Sequence, residues 1–259
     1  MPTRYGTVAT RRSALDETPY NPLDIDNLGE SIADAILERS VRPLSSLTTF
    51  QGAGIYVIYY TGDFPVYKPL AERNRDGQFA APIYIGEAVH RGASTGRRRE
   101  PENAGTPLFD RLGQHRTSIS RATNLDVADF ACRYLVTHDV WIPLGETVLI
   151  ERFQPLWNIY VRGFGNKDPG KRRLTGERPM WDTIHPGRSW AVTMTANRLS
   201  EAQIMERLQS ALSGSPTTPL PAEEVARRPG PTCKKISRTQ ARGCERWHME
   251  QTQRAATRF

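Results

Sequence analysis

The stretch GAGIYVIYYTG (residues 52–62) predicts a β-strand with aliphatic and tyrosine side chains on both faces. Alternation along this strand would turn Tyr56 to one face and Tyr59 to the other. A second stretch, APIYIGEA (81–88), repeats the combination of tyrosine, isoleucine and glycine. A buried tyrosine hydroxyl needs a hydrogen-bond partner, so an ordinary core has little use for these side chains. The tyrosines are therefore either core residues or walls of a functional site.

The composition limits the class of protein. With 259 residues, 38% of them hydrophobic, the chain can form one sizeable core with extensions, or two small domains. It has no run of about 18 apolar residues and no secretory signal at its N-terminus, so we expect no membrane association. Cys132, Cys233 and Cys244 offer no disulfide framework and no convincing zinc site, which favours a reducing cytoplasm.

The net charge of +7 is concentrated in three basic segments, residues 88–121, 161–190 and 213–259. Clustered lysine and arginine residues are typical of proteins that bind a polyanion. A solvated surface would explain any one of these segments as well, so the charge alone does not identify a partner.

Hydrophobic periodicity and capping signals predict a small α/β or α+β unit with appendages. The predicted parts are an N-terminal arm (1–50) with an amphipathic helix at 21–44, a core (51–160), an extension (161–212) and a basic, disordered tail (213–259). Ser200 and Gln203 form a capping-box pattern that begins the last helix of the extension. The predicted core elements are strands at 54–61, 82–86 and 127–137 and helices at 107–121 and 140–153. A long loop, 62–81, is predicted between the first two strands.

Two polar side chains lie beside the apolar stripe of the predicted helix 107–121. Arg111 and His115 are four residues apart, so they project from the same side of the helix. A fully solvated arginine would more naturally lie on the opposite face. The alternative is an arginine whose stem covers apolar surface, beside a satisfied histidine at the boundary of the core.

Glu146 occupies an apolar row of the predicted helix 140–153, between Ile142 and Ile150. A carboxylate in such a row either loses its charge or holds a cation, because burying it bare costs several kcal/mol. It is therefore a candidate metal ligand, with a salt bridge to Arg111 as the alternative. Glu151, on the same helix, has polar neighbours and is interpreted as a surface acid.

Together these groups suit the hydrolysis of a phosphodiester. That reaction needs a base for water, a cation at the phosphoryl oxygens and assistance to the leaving oxygen. A carboxylate with waters and a substrate phosphate is a typical Mg²⁺ shell, and an arginine can grip the phosphate. Spacing alone does not show that the groups converge.

The tripeptides Gly54-Ile55-Tyr56 and Tyr84-Ile85-Gly86 resemble the signature of the GIY-YIG nuclease superfamily. Arg111, Glu146 and the PLWN stretch ending at Asn158 follow in the order typical of that superfamily. Within it, residues 49–192 most resemble type II restriction endonucleases of the branch that cuts CCGCGG. The stretches that carry this resemblance are FQGAGIYVIYYTG, NLDVADFACRYLV, PLWN, GFGNKDPG and WDTIHPGRSWA.

The resemblance implies a role for each site residue. Tyr56 would be the general base or would orient the water, Tyr84 would contact water or phosphate, and Arg111 would stabilise the scissile phosphate. His115 would assist proton transfer, and whether it or Tyr56 is the base stays open. Glu146 would bind one Mg²⁺, for which Mn²⁺ could substitute, and Asn158 would brace the site.

The resemblance also implies an α+β fold, in which a short antiparallel sheet flanked by helices forms the GIY-YIG nuclease core. It implies double-stranded DNA as the substrate and a homodimer on a palindromic site. It further implies a cognate DNA methyltransferase in the same system, as a functional rather than a physical partner. Rival interpretations are a GIY-YIG nuclease of the homing or repair type, an inactive DNA-binding protein that keeps the fold, and a regulatory protein that acts through its basic tail. The candidate DNA-binding residues are Arg97, Arg98, Arg99, Arg116, Lys167, Lys171, Arg172 and Arg173.

Overall fold

The computed structural model describes residues 21, 23–90, 105–170 and 176–213. Contacts divide the chain into two units, residues 1–217 and 218–259, and all described residues belong to the first. The strands are β1 (Arg42–Pro43), β2 (Gly54–Tyr60), β3 (Pro82–Ala88) and β4 (Phe130–Val136). The helices are α1 (Ile25–Leu37), α2 (Lys68–Glu72), α3 (Pro107–Arg121), α4 (Ile142–Phe153), α5 (Leu156–Ile159), α6 (Met180–Ile184), α7 (Ser189–Val192) and α8 (Glu201–Leu212).

The four strands form one antiparallel sheet in the order β1-β4-β2-β3, so the predicted α+β class is confirmed. Strand β2 lies between β4 and β3, and every one of its residues is buried. A strand covered on both faces has no polar alternation, which explains the continuous apolar and aromatic run in its sequence.

The two faces of the sheet have different partners. Ile55, Val57 and Tyr59 pack in a cluster with Ile36 of α1 and Leu149 of α4. Tyr56 points to the other face, where its hydroxyl contacts a side chain of α3. Helix α3 presents Leu108, Leu112 and Ile119 as its buried stripe. Tyr56 and Tyr59 thus point to opposite faces of the sheet, because side chains alternate along a strand.

The sequence predicted the central elements well and the connections less well. Helix α1 begins at Ile25, with Asp24 as its N-cap, and ends at Leu37, so it is shorter than the segment 21–44 that was interpreted as a helix. The two-residue strand β1 follows it and was not predicted, because a strand so short has no periodicity. The segment 62–81 was interpreted as a loop but contains a 3₁₀ turn (Pro65–Tyr67) and α2.

Two core elements begin later than predicted. Strand β4 starts at Phe130, after a 3₁₀ turn (Val127–Asp129), and α4 starts at Ile142. The capping box of α8 is confirmed, since the Ser200 hydroxyl accepts from the Gln203 amide and the Gln203 side chain accepts from the Ser200 amide. Among the helices of the described residues, none has the length and apolar character that crossing a membrane requires.

Candidate active site

Tyr56, Tyr84, Arg111, Glu146 and Lys167 line a single cleft. The first two side chains come from neighbouring strands of the sheet, Arg111 comes from α3 and Glu146 from α4. Residues from distant parts of the sequence therefore converge, as the predicted constellation required. Glu87, His90 and Asp110 also line the cleft, and the sequence analysis did not single them out.

Close packing explains why glycine occupies the first position of one tripeptide and the last position of the other. In the register of β2 and β3, Gly86 lies opposite Tyr56, and a Cβ atom at Gly86 would lie 2.3 Å from the Tyr56 hydroxyl oxygen. A Cβ atom at Gly54 would lie 1.9 Å from the carbonyl oxygen of Leu135 in β4. Real Cβ atoms do not approach other atoms so closely, so Gly86 leaves the space that the Tyr56 phenol occupies.

Tyr56 and His115 form a buried polar pair. The Tyr56 hydroxyl lies 2.6 Å from His115 Nε2, and both side chains are almost completely buried. Burial raises the pKa of Tyr56 well above its ordinary value, and Tyr84 adds to the rise while Arg111 opposes it. Burial lowers the pKa of His115 well below its ordinary value, and the positive charges of Arg111, Arg188 and Lys167 lower it further. Both groups are therefore neutral at neutral pH.

Tyr84 stands beside this pair. Its ring centroid lies 6.2 Å from that of Tyr56 and 5.2 Å from that of His115. Burial raises the pKa of the Tyr84 hydroxyl, and Arg111 again opposes the rise. The two tyrosines and the histidine thus form one aromatic cluster where the sheet meets α3.

Arg111 is the cation with the strongest influence on the pKa values of Tyr56, Tyr84 and His115. Its Nη2 donates to the carbonyl oxygen of Gly165 at 2.8 Å, and its Nη1 donates to Gln114 Oε1 at 3.1 Å. These two acceptors hold the guanidinium at the edge of the cleft. A guanidinium held in this way is suited to gripping a phosphate through its remaining donors.

Glu146 lies half-buried in the cleft, and its negative charge adds to the rise in the pKa of both Tyr56 and Tyr84. Helix α4 comes close to the sheet at Gly145, where a Cβ atom would lie 2.4 Å from Ile55 Cδ1. Within the described part of the chain, no group of three or more His, Cys, Asp or Glu residues could hold a metal. A metal at Glu146 would thus need waters and substrate oxygens to complete its shell, which suits Mg²⁺.

Asn158 contacts the backbone of β3 rather than the cleft. Its Oδ1 accepts from the Ile85 amide at 2.8 Å, and its Nδ2 donates to the Ile85 carbonyl at 2.8 Å. Strand β3 is at the edge of the sheet, so this amide replaces a neighbouring strand at the residue after Tyr84. Asn158 ties α5 to the strand that carries the second tripeptide.

The basic residues predicted to bind DNA are only partly described. Lys167 lines both the cleft and an adjoining groove along α3, and Arg116 lines the groove. The groove also contains Arg121 and Trp190, which the sequence analysis did not single out. The remaining candidates lie outside the described residues, namely Arg97, Arg98, Arg99, Lys171, Arg172 and Arg173.

The segment that builds this site also matches a known domain. A family model described as the Eco29kI GIY-YIG domain matches residues 48–212. The matched segment contains strands β2, β3 and β4, all six predicted catalytic residues and the extension as far as the end of α8, and it covers more than half of the chain. No match is found among curated proteins.

Proposed function

The chain belongs to the Eco29kI GIY-YIG domain family, a type II restriction endonuclease family, and we propose from its cleft how it cuts DNA. It is a site-specific DNA endonuclease and a metal-dependent phosphodiesterase. Eco29kI cuts CCGCGG. We propose the same GC-only palindrome for this chain and Mg²⁺ as its metal, with Mn²⁺ able to substitute.

The observation that carries the mechanism is the buried pair of Tyr56 and His115 beside Arg111 and Glu146. Because both members of the pair are neutral, neither is a preformed anion that could take a proton from water. We propose instead a relay of two coupled proton transfers. Tyr56 accepts the proton of the attacking water while its own hydroxyl proton passes to His115 Nε2, and the water oxygen displaces the leaving oxygen from phosphorus.

Bound DNA would make His115 a better base than it is in the free protein. The positive charges of Arg111 and Lys167 help to lower its pKa, and a phosphate between them would offset those charges. The relay would therefore be strengthened when the substrate is in place.

The remaining cleft residues act on the phosphate, and Asn158 supports β3 from outside the cleft. Arg111 binds a non-bridging oxygen of the scissile phosphate and stabilises the charge of the transition state. Tyr84 orients the attacking water or the phosphate, and Asn158 keeps β3 in register beside α5. Glu146 holds the divalent metal, which when bound neutralises phosphate charge and aids departure of the leaving oxygen.

Assembly and context complete the proposal. The described residues form one candidate active site, and a palindrome has to be cut on both strands, so we propose a homodimer with two-fold symmetry on DNA. A mass measurement with a CCGCGG duplex tests this, and a complex with a single chain would contradict it. We also propose a cognate methyltransferase in the same system, a cytoplasmic location, and DNA contacts by Arg116, Lys167 and the basic residues outside the described ranges. The arm, core, extension and tail proposed from the sequence are taken to be the domains.

The function is tested by digesting a plasmid with one CCGCGG site in Mg²⁺ and in EDTA. We expect one linear product with Mg²⁺, none in EDTA, and none from a plasmid with a mutated site. Glu146→Gln should abolish cleavage, while Glu151→Gln, an exposed position on the same helix, should cleave normally. Nicks independent of the site would contradict the specificity, and binding of DNA by the wild type without cleavage would contradict the mechanism.

A further inference from the structure

The loop of residues 163–166, here called the GFGN loop, lines the groove along α3 and packs against residues of the candidate active site. The carbonyl oxygen of Gly165 accepts from Arg111 Nη2 at 2.8 Å. The ring of Phe164 stacks on His115, with centroids 4.5 Å apart, and meets Tyr84 edge-on at 5.0 Å. Three side chains to which we assign roles in cleavage thus contact this one loop.

Arg188, a buried arginine that does not line the cleft, binds the backbone of the GFGN loop. Arg188 precedes α7, is 2% exposed, and donates from Nη1 to the carbonyl oxygens of Phe164 and Asn166 at 3.1 Å each. Its Nη2 donates to the carbonyl oxygen of Gly163 at 2.9 Å. The fourth carbonyl of the loop is the one that Arg111 binds. Two arginines, one on each side, therefore bind all four carbonyls of the GFGN loop.

Arg188 is itself fixed from the other side. Asp182 of α6 is 2% exposed and accepts from Arg188 Nε and Nη2. The guanidinium carbon lies 4.6 Å from the ring centroid of Trp181 and 4.7 Å from that of Trp190. A buried ion pair is a weak source of stability, because desolvation offsets most of the attraction. What such a pair does supply here is one orientation of the guanidinium, and through it one conformation of the loop.

We propose that Arg188 is a positioning residue for cleavage. Held by Asp182, it fixes the GFGN loop so that the Gly165 carbonyl orients Arg111 and the Phe164 ring orients His115. The inference rests on the proposed roles of Arg111 and His115. It extends the active site to α6 and α7, which belong to the extension rather than to the strands and helices that carry the tripeptides.

The test compares Arg188→Met with Arg178→Met. Arg178 lies in the same extension and donates to backbone carbonyls of Ala191 and Val192, but it has no bond to the GFGN loop among the described contacts. The readouts are the single-turnover cleavage rate of a CCGCGG duplex and the Kd for that duplex in EDTA. We expect Arg188→Met to lower the rate about 10²-fold, the usual effect of misplacing a catalytic group, with Kd changed less than threefold. Arg178→Met should keep the wild-type rate.

A double-mutant cycle with Arg111→Lys separates positioning from a general loss of structure. If Arg188 acts through Arg111, the double variant Arg111→Lys/Arg188→Met should cleave much less than 10²-fold more slowly than Arg111→Lys alone. The bond between Arg111 and the Gly165 carbonyl, which Arg188 is proposed to position, is already lost in Arg111→Lys. Effects that multiply in full would overturn the proposal, as would an Arg188→Met protein that cleaves at the wild-type rate.

A second variant guards against misfolding. Arg188→Met leaves the Asp182 carboxylate buried without its cation, so Asp182→Asn/Arg188→Met, which removes both charges, is carried through the same assays. Full activity of this double variant, folded as judged by circular dichroism, would overturn the proposal. Cleavage by the wild-type protein tests the proposed function separately, since the positioning role is read only from ratios to the wild-type rate.

Discussion

Replacing Tyr56 by phenylalanine removes one hydroxyl from the centre of the site. That hydroxyl is the partner of His115 Nε2 at 2.6 Å, and both side chains are buried. In the relay it also receives the proton of the attacking water. The substitution therefore has two separable consequences, one for stability and one for the rate of cleavage.

The expected magnitudes follow from these two roles. Leaving a buried ring nitrogen without its partner costs about 1–3 kcal/mol of unfolding free energy. Loss of a positioned proton-transfer group lowers the cleavage rate by about 10²–10⁴-fold. Binding of DNA should change little, because the hydroxyl has no role in gripping the duplex.

Tyr59→Phe is the matched control. Tyr59 lies three residues along the same strand, is equally buried, and its hydroxyl accepts from Arg133 Nη1 at 3.1 Å on the opposite face of the sheet. Removing that hydroxyl also costs a hydrogen bond, about 1 kcal/mol, but it leaves the cleft unchanged.

The assay is single-turnover cleavage of a CCGCGG duplex with Mg²⁺, combined with urea unfolding of each variant. We expect Tyr56→Phe to be slow and Tyr59→Phe to match the wild type. A Tyr56→Phe protein that cleaves at the wild-type rate would refute the relay. Equal losses of rate in both variants would show that packing, and not proton transfer, was disturbed.

Further predictions concern the glycine of the second tripeptide and two buried histidines. Gly86→Ala should lower the cleavage rate sharply, because its Cβ would lie 2.3 Å from the Tyr56 hydroxyl. Gly113→Ala, in open space on α3, should instead raise the unfolding free energy by about 0.5–1 kcal/mol in urea melts. Equal changes in the stability of the two variants would contradict this prediction. Burial lowers the pKa of His185 to about 3, so below its ordinary pKa the unfolded chain binds a proton that the folded chain does not, and stability is lost as pH falls from about 6.5. Between pH 7 and pH 5 the loss of unfolding free energy from His185 amounts to about 2 kcal/mol. In urea titrations the His185→Gln variant should therefore lose about 2 kcal/mol less unfolding free energy than the wild type over the same pH range. In the free protein the pKa of His115 is well below its ordinary value, so the acidic limb of the pH profile of kcat/KM should lie below pH 6.5. Bound DNA offsets the charges that lower this pKa, so the acidic limb of the kcat profile should lie at higher pH. A kcat/KM limb at or above pH 6.5, in rates measured from pH 5 to 8, would contradict a neutral His115.

Most elements of the core follow from local sequence. Strand β2 is an unbroken apolar and aromatic run, α3 opens with a proline in its first turn, and α8 carries a complete capping box. These signals lie within a few residues of the structure that they determine. The facing of Tyr56, and the shared side of Arg111 and His115 on α3, follow from strand and helix geometry in the same way.

Other features depend on partners far away in the chain. Strand β1 exists because Arg42 and Pro43 pair with Cys132 and Ala131 of β4, and no local pattern announces it. The helices α5, α6 and α7 lie in a segment rich in glycine, tryptophan and basic residues, where four or five helical residues are too few for a period to be recognised.

The sequence thus predicted six catalytic residues, four of which line one cleft, and tertiary structure decided their chemical state. His115 is neutral because Phe164, about fifty residues later, covers its ring and because nearby cations disfavour a second proton. Arg188 lies in a stretch that carries the family resemblance, but no sequence pattern marked it as a site residue, and only the fold buries it against Asp182 and the carbonyls of the GFGN loop. Desolvation and charge interactions depend on every atom around a group, and those atoms come together only when the chain has folded.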